Sequence, residues 1–386
     1  MSRPSDAVVA PDAVVAPETE TATSDPGSLR GIDHVEFWVG NATQAAHFYT
    51  TVMGFRRVAY AGPETGVRSH VSHVLAQGDV RFVVTGGLSA DGPIADHVRR
   101  HGDGVRRVAF AVGDADVARE RAIRGGGVAR GSMEEVHDEG GSVRHGCIDA
   151  WGDAEYAFVA RHGRDGPWMP GFVPTESPPD HDLPSVGLAE VDHVVANVPA
   201  GALEHWVEWH GRVLGLRSMA EFSKDVSTER SALTSTVLAN DTGTVTMPIN
   251  EPARGPRRSQ IEEFLGAWGG PGVQHLALST RDIVAAVAAM RSRGLAFLAA
   301  EGDYYERARA RVGELAASWE DLEREGIMVD RDDRGHLLQI FTEPVQDRPT
   351  LFFEIIQRMG ATGFGVGNFG ALFASIERAQ ERRGNL

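Results

Sequence analysis

Apolar and polar positions alternate with a period of two through many short runs of this chain, and between those runs the period lengthens to that of a helix. The stretch 348–377 shows both. Residues 350–357 alternate and predict a strand. A loop with glycines at 363, 365 and 367 follows, and Phe369, Leu372, Phe373 and Ile376 then mark the apolar face of a helix beginning near Asn368. Glu354 shares a strand face with Thr350, Phe352 and Ile356, so its carboxylate is expected in the interior. An ionised carboxylate there needs a metal or a cation to offset its desolvation.

The pattern occurs twice. GIDHVEFWV at 31–39, a helical segment through Ala45, Ala46 and Phe48, and VMGF at 52–55 return as EVDHVVANV at 190–198, a helical segment through Leu203, Trp206 and Trp209, and VLGL at 213–216. DGVRRVAFAVGDADVARERAIRGG at 103–126 returns as PGVQHLALSTRDIVAAVAAMRSRG at 271–294. Each unit is a strand, a helix and then short strands, which predicts an α+β fold of duplicated βαβββ modules. Six prolines within 161–186 predict an extended connector between the halves. The start repeats DAVVAP and continues through small, polar and acidic residues, the composition of a disordered tail. The expected organisation is therefore a tail at 1–29, a first domain at 30–160, a connector at 161–186 and a second domain at 187–386 that ends in a helix at 368–383.

Composition removes several classes of partner. With 38 basic against 54 acidic residues the net charge is −16, which argues against nucleic acid and anionic membranes. The single cysteine, Cys147, allows neither an intramolecular disulfide nor a thiolate metal cage. No apolar run approaches the roughly 18 residues of a membrane span, and no signal-peptide pattern opens the chain, so a cytoplasmic location is expected.

Partners for Glu354 stand on two other strands of the second half. His193 shares an apolar face with Val191 and Val195, and His275 with Val273 and Ala277. Two imidazoles and one carboxylate without cysteine form the facial triad of non-haem Fe(II), and less specifically bind Mn, Co or Zn. A lone histidine on an apolar strand is most often a hydrogen-bonded core residue. The duplication weighs against that here. His34 aligns with His193, but Arg107 aligns with His275 and Ala157 with Glu354, so only the second copy keeps all three. His34 reads as a structural relic. Alternation also puts Leu337, Gln339 and Phe341 on one face, Thr246, Pro248 and Asn250 on another, and Ser231, Leu233, Ser235 and Val237 on a third. Lining one cavity, these faces would suit a small aromatic ligand. Ser259 and Glu262 form a capping-box pattern that makes Gln260 a first-turn helix residue. By strict alternation Gln274 points away from His275. His210, polar where an apolar residue is expected, reads as a surface or helix-packing change.

The duplicated unit with one His, His, Glu set resembles the vicinal oxygen chelate fold. The second half resembles the 4-hydroxyphenylpyruvate dioxygenase family through VDHVVANV, MPINEP at 247–252, SQIEEFL at 259–265, GVQHLAL at 272–278, LLQIFT at 337–342, FFEIIQR at 352–358 and GFGVGNFGALF at 363–373. The first half resembles that family's metal-free domain more loosely. The resemblance implies two open-barrel domains with a C-terminal lid helix, its swing allowed by the three loop glycines. It implies Fe(II) on His193, His275 and Glu354, and a reaction of 4-hydroxyphenylpyruvate with O2 that yields homogentisate and CO2 in tyrosine and phenylalanine catabolism. It further implies catalytic roles for Gln339, Phe341 and Phe369, the two phenylalanines sandwiching the substrate ring. Ser235, Asn250, Gln260 and Gln339 would surround the phenol end, with Pro248, Gln274, Phe352 and Asn368 nearby, in a homo-oligomer that is a dimer or tetramer. The related 4-hydroxymandelate synthase tends to have an aliphatic residue where Phe369 stands and lacks the PIN of MPINEP, so these residues favour ring attack. An extradiol dioxygenase, a glyoxalase-like isomerase and a metal-free binding protein of the same fold are more remote readings.

Overall fold

The computed structural model describes residues 25–163, 168–175, 183, 185–219, 224–227, 231–300 and 302–385. The first half runs β1 (Leu29–Val39), α1 (Ala42–Thr51), β2 (Arg56–Ala61), β3 (His70–Gln77), β4 (Val80–Gly87), α2 (Pro93–His101), β5 (Gly104–Val112), α3 (Ala115–Arg124), β6 (Ala129–Asp138), β7 (Gly141–Asp149), β8 (Glu155–His162) and β9 (Val173–Pro174). The second half opens with β10 (Leu188–Asn197), α4 (Leu203–Leu214), β11 (Arg217–Ser218), β12 (Lys224–Ser227), β13 (Ala232–Ala239), β14 (Thr246–Ala253) and α5 (Gln260–Trp268). It continues through β15 (Gly272–Thr280), α6 (Ile283–Ser292), β16 (Phe297–Leu298), α7 (Tyr304–Val312), α8 (Trp319–Glu325), β17 (Met328–Arg331), β18 (His336–Thr342), β19 (Phe352–Met359) and α9 (Phe369–Arg383).

Each half is one curled mixed sheet. The first has the order β6-β7-β8-β5-β1-β4-β3-β2-β9, and the second β11-β13-β14-β10-β15-β19-β18-β16, with β12 on β13 and β17 on β18. Read in opposite directions the two orders match from β6 to β2 and from β16 to β11, and β9 has no counterpart on the second path. In each, the first strand of one βαβββ module pairs antiparallel with the first strand of the next, β1 with β5 and β10 with β15. The register carries the alignment to single residues. His34 lies opposite Ala109 as His193 lies opposite Ala277, and Ala109 lies beside Ala157 as Ala277 lies beside Glu354.

The helices cap where the sequence provides for it. Asn41, Asp114, Asp282 and Ser318 each accept a backbone N–H of their helix's first turn, and Ser259 with Glu262 forms the expected capping box on α5. No helix among the described residues is long and apolar enough to cross a membrane.

Two boundaries differ from the expected ones. Leu29 is buried and pairs with Val112, and Asp25 forms an ion pair with Arg121, so 25–29 belong to the first half rather than to a tail; residues 1–24 lie outside the described residues. The proline-rich stretch is more than a spacer. Trp168 is buried against Ala59, Val74 and Val83, and β9 adds an edge strand to β2. A tryptophan that can bury its ring outweighs the extended bias of neighbouring prolines. Pro167, Pro178, Pro179 and Pro184 lie outside the described residues.

Candidate metal centre

His193 on β10, His275 on β15 and Glu354 on β19 come together because these three strands are adjacent. The Nε2 of His193 lies 3.1 Å from Glu354 Oε2, and that of His275 3.7 Å from the same oxygen. All three side chains are buried, and they line one cavity. Each Nδ1 is engaged elsewhere, His193 with Asp192 Oδ1 at 2.7 Å and His275 with Gln274 Oε1 at 3.1 Å. Outer partners of this kind orient imidazoles for a metal and leave both Nε2 atoms for it. Burial opposes ionisation of Glu354, but the two histidines outweigh it and hold the carboxyl below its ordinary value. Burial likewise opposes a charge on His193, yet Glu354 and Asp192 raise its pKa to about 9, whereas burial prevails at His275 and lowers it. The site therefore attracts positive charge, and two nitrogens with one carboxylate oxygen fit a divalent metal ion.

The alternation rule holds for three walls of the cavity and fails at the fourth. Ser235 and Val237 on β13, Pro248 and Asn250 on β14, and Gln339 and Phe341 on β18 all face it, as expected. Ser235 and Asn250 are register partners, so the hydroxyl and the amide stand side by side. Gln274 also lines the cavity, beside His275, although strict alternation sends it to the other face. The cause is a β-bulge. Pairing jumps from Val195 opposite His275 to Ala196 opposite Val273, leaving Gln274 as an extra residue. A second bulge, between Val191 and His193, sets Asp192 beside the ring of its neighbour.

Gln260 is the first residue of α5 and a wall residue at once. Phe352 stacks on the His275 ring at 4.6 Å, with Phe341 edge-on at 6.0 Å. Phe369, Leu372, Phe373 and Ile376 of α9 close the remaining side. Two placements differ from those expected. Gln339 does not stand with Ser235 and Asn250 alone, because its Nε2 donates to Glu354 Oε1 at 3.1 Å. Asn368 is absent from the cavity wall and lies behind Gln339, donating to its Oε1 at 3.1 Å.

Sequence reasoning passed over Asp192, Arg358 and Phe364. The Arg358 guanidinium binds both oxygens of Asp192 at 2.7 and 2.8 Å and covers the ring of Phe364, whose edge meets His193 at 5.3 Å. The first half repeats this arrangement with Asp33, His34, Arg161 and Trp168. The signal was present as an Asp-His doublet and an arginine in both copies. His210 is fully buried between the halves, its Nε2 2.8 Å from the Tyr156 hydroxyl, so it is a packing residue and not a surface one.

A second cluster, His97, His101 and Asp153, also meets metal-ligand distances, with both imidazoles 3.1 Å from Asp153 Oδ2. Here Arg106 already brings a fixed positive charge to 3.9 Å from that oxygen, and His101 Nδ1 is joined to Trp268 O across the halves at 2.6 Å. That geometry describes a hydrogen-bonded clasp of α2 to α5, with Asp153 and Arg106 behind it in the first half.

Residues 190–340 match the Glyoxalase/Bleomycin resistance protein/Dioxygenase superfamily, and residues 23–169 match the N-terminal domain of hydroxyphenylpyruvate dioxygenase. The chain is 40% identical to the 4-hydroxyphenylpyruvate dioxygenase of Yarrowia lipolytica over 96% of its length and 97% of that protein's. It is 42% identical to that of Dictyostelium discoideum, covering 93% of this chain and all of the relative. Among solved structures, a substituted variant of 4-hydroxymandelate synthase from Streptomyces coelicolor superposes with a TM-score of 0.81 at 32% identity, over 92% of this chain and 99% of that one. Identity at this level over nearly the whole length shows that the chain belongs to the 4-hydroxyphenylpyruvate dioxygenase family.

Proposed function

We propose that this chain binds Fe(II) through His193, His275 and Glu354 and converts 4-hydroxyphenylpyruvate and O2 to homogentisate and CO2. The observation that carries the reading is the convergence of these three side chains on one face of a cavity whose other walls are aromatic, apolar and amide-bearing. Fe(II), when bound, would be the Lewis acid that the 2-oxo acid chelates, and would pass electrons from that substrate to O2.

The protein's own residues do the rest. Gln339 holds Oε1 of Glu354, so the carboxylate turns its other oxygen toward the histidines. Asp192 and Gln274 hold the imidazole rings by their Nδ1 atoms. Phe341, Phe352 and Phe369 offer ring faces and edges to an aromatic substrate, and with Leu372, Phe373 and Ile376 they exclude water from a reactive oxidant. Ser235, Asn250 and Gln260 supply hydroxyl and amide partners for the phenol. Homo-oligomeric assembly rests on the family resemblance, and a cytoplasmic location on the sequence pattern.

The structural likeness to a 4-hydroxymandelate synthase keeps benzylic hydroxylation of the same substrate as the second reading. Product analysis separates the two. Fe(II)-loaded protein given 4-hydroxyphenylpyruvate and O2 is expected to form homogentisate, identified by mass and NMR. 4-Hydroxymandelate would establish the second reading, and no oxygen uptake would overturn both.

A further inference from the structure

Glu354 is the last member of a chain of polar side chains that begins outside the cavity, at the exposed Arg311 on α7, and is buried from Tyr304 onward. Arg311 can only donate hydrogen bonds. Its Nη2 donates to Val329 O at 2.8 Å and to Asn368 Oδ1 at 3.3 Å, while its Nε faces Asp330 at 3.4 Å. The Tyr304 hydroxyl accepts the Val329 N–H at 2.7 Å, and its single proton has Val329 O at 3.1 Å and Asn368 Oδ1 at 2.6 Å in reach; Arg311 already donates to Val329 O, so the shorter bond to Asn368 takes the proton. Two donors on that oxygen fix which way the Asn368 amide points. Its Nδ2 must then face Gln339 Oε1, and once that oxygen is taken, Gln339 Nε2 must face Glu354 Oε1. Turning either amide over would set oxygen against oxygen in a buried site. Tyr304, Asn368, Gln339 and Glu354 are each 3% exposed or less.

The direction of the relay is therefore imposed from α7, and it has a consequence at the cavity. Oε1 of Glu354 is occupied, and Oε2 is the oxygen that faces both histidine Nε2 atoms. A carboxylate that offers one oxygen leaves more positions free for a chelating substrate than one that offers two. The relay also passes through Asn368, the residue before α9, whose neighbour Gly367 donates its N–H to Asp330 at 2.8 Å. The start of the covering helix and the carboxylate thus share one set of hydrogen bonds.

We infer that Tyr304 and Arg311 are positioning residues for Glu354, acting through the amides of Asn368 and Gln339 to hold its carboxylate to a single free oxygen. The inference rests on the metal-site reading above. Its test uses Co(II), whose binding to the iron-stripped full-length protein can be titrated without turnover. Tyr304→Phe with Arg311→Met should weaken Co(II) binding about tenfold or more, the usual effect of losing outer-shell support. Arg311→Lys, which keeps a donor, should stay within about threefold of the parent on the same basis. Tyr305→Phe, a neighbouring hydroxyl outside the relay, should leave affinity unchanged. Asn368→Asp preserves shape but replaces the relay's donor with an acceptor, so it should also weaken Co(II), and it serves if the double variant fails to fold. Thermal melting run alongside separates positioning from stability. Parental Co(II) affinity in the double variant and in Asn368→Asp would overturn the inference, even with a lowered Tm. Failure of the parent itself to bind Co(II) would overturn the metal-site reading and the inference with it.

Discussion

Arg107 and His275 hold the same place in two copies of one sheet. Each sits beside a β-bulge on the strand that pairs with the Asp-His strand of its half, and each faces the position where a ligand could stand. His275 meets Glu354, whereas Arg107 extends its guanidinium to Glu36 and Glu155, 2.7 Å from each. The first half thus fills its interior with a cation carried by the protein, where the second has the proposed metal site.

That comparison makes Arg107→Met a stability experiment. Glu36 would keep only the neutral donors Thr85 and Trp38, and an uncompensated buried carboxylate costs roughly 3–5 kcal/mol. The urea midpoint is expected to fall accordingly and to recover when Glu36→Gln is added. A variant with the parental midpoint would show that Arg107 does not balance the charge.

The repeated Asp, His, Arg and aromatic sets separate structure from metal binding. Arg161→Met and Arg358→Met each remove the guanidinium that holds an aspartate against its histidine. Both should lower the Tm by similar amounts, since the Asp33 and Asp192 side chains are only 9% and 10% exposed and both carboxyls are held below the ordinary range against the cost of desolvation. Only Arg358→Met should weaken metal binding, by about 10–100-fold, because of the two histidines only His193 belongs to the proposed metal site. Equal metal affinity in the two variants, measured by titration of the metal-free protein, would contradict this.

Much of this architecture was legible in the chain, for physical reasons that also explain what was not. The repeat exposed the modules, and its broken symmetry at Arg107 and Ala157 pointed to His193, His275 and Glu354, which converge on the cavity. Strand alternation placed Ser235, Asn250 and Phe341 on the cavity wall because side chains on a regular strand have no other choice. It misplaced Gln274, since a bulge adds one residue without leaving a trace in the hydrophobic pattern. Trp168 was hidden among prolines, and its burial depends on a sheet face that forms more than eighty residues earlier. The relay from Arg311 was invisible for a similar reason, as it joins α7, α9 and two strands through hydrogen bonds that follow no sequence period.

His210 sets a pH dependence at the contact between the halves. Burial lowers its pKa from 6.5 to about 4, although its bond to Trp206 O opposes the change. Between those values the unfolded chain binds the proton and the folded one does not, so stability is complete above pH 6.5 and falls as pH drops toward 4. The contribution is on the order of 3 kcal/mol at full extent. His73, lowered to about 4 by burial, adds to the same window. His210→Phe is expected to reduce the slope of Tm against pH in that window. At pH 7 it should also cost about 1–2 kcal/mol, because the Tyr156 hydroxyl loses its partner. An unchanged slope would assign the acid sensitivity to other groups.

Phe369 tests whether α9 acts as a cover. The three glycines before it were expected to free the helix to swing, but the loop is held at several points. Asp332 accepts the N–H groups of Thr362 and Gly363, Arg358 binds Gly363 O, and Asp330 accepts from Gly367. Gly365 is required by its left-handed φ of 69° and by Gln339, whose amide oxygen a Cβ would strike. The glycines therefore serve close packing, and any movement of the cover must involve α9 as a body rather than a loose loop. Phe369 lines the cavity yet is only half-buried, so its ring has surface left to place on a substrate. Losing one aromatic contact of about 0.5–1.5 kcal/mol, with the area it covers, should raise KM for 4-hydroxyphenylpyruvate about tenfold in Phe369→Ala. The Tm should move little, and part of the oxygen consumed should no longer appear as homogentisate because water reaches the oxidant. Unchanged KM together with unchanged product yield would remove α9 from the reaction and leave the His193, His275 and Glu354 site untouched.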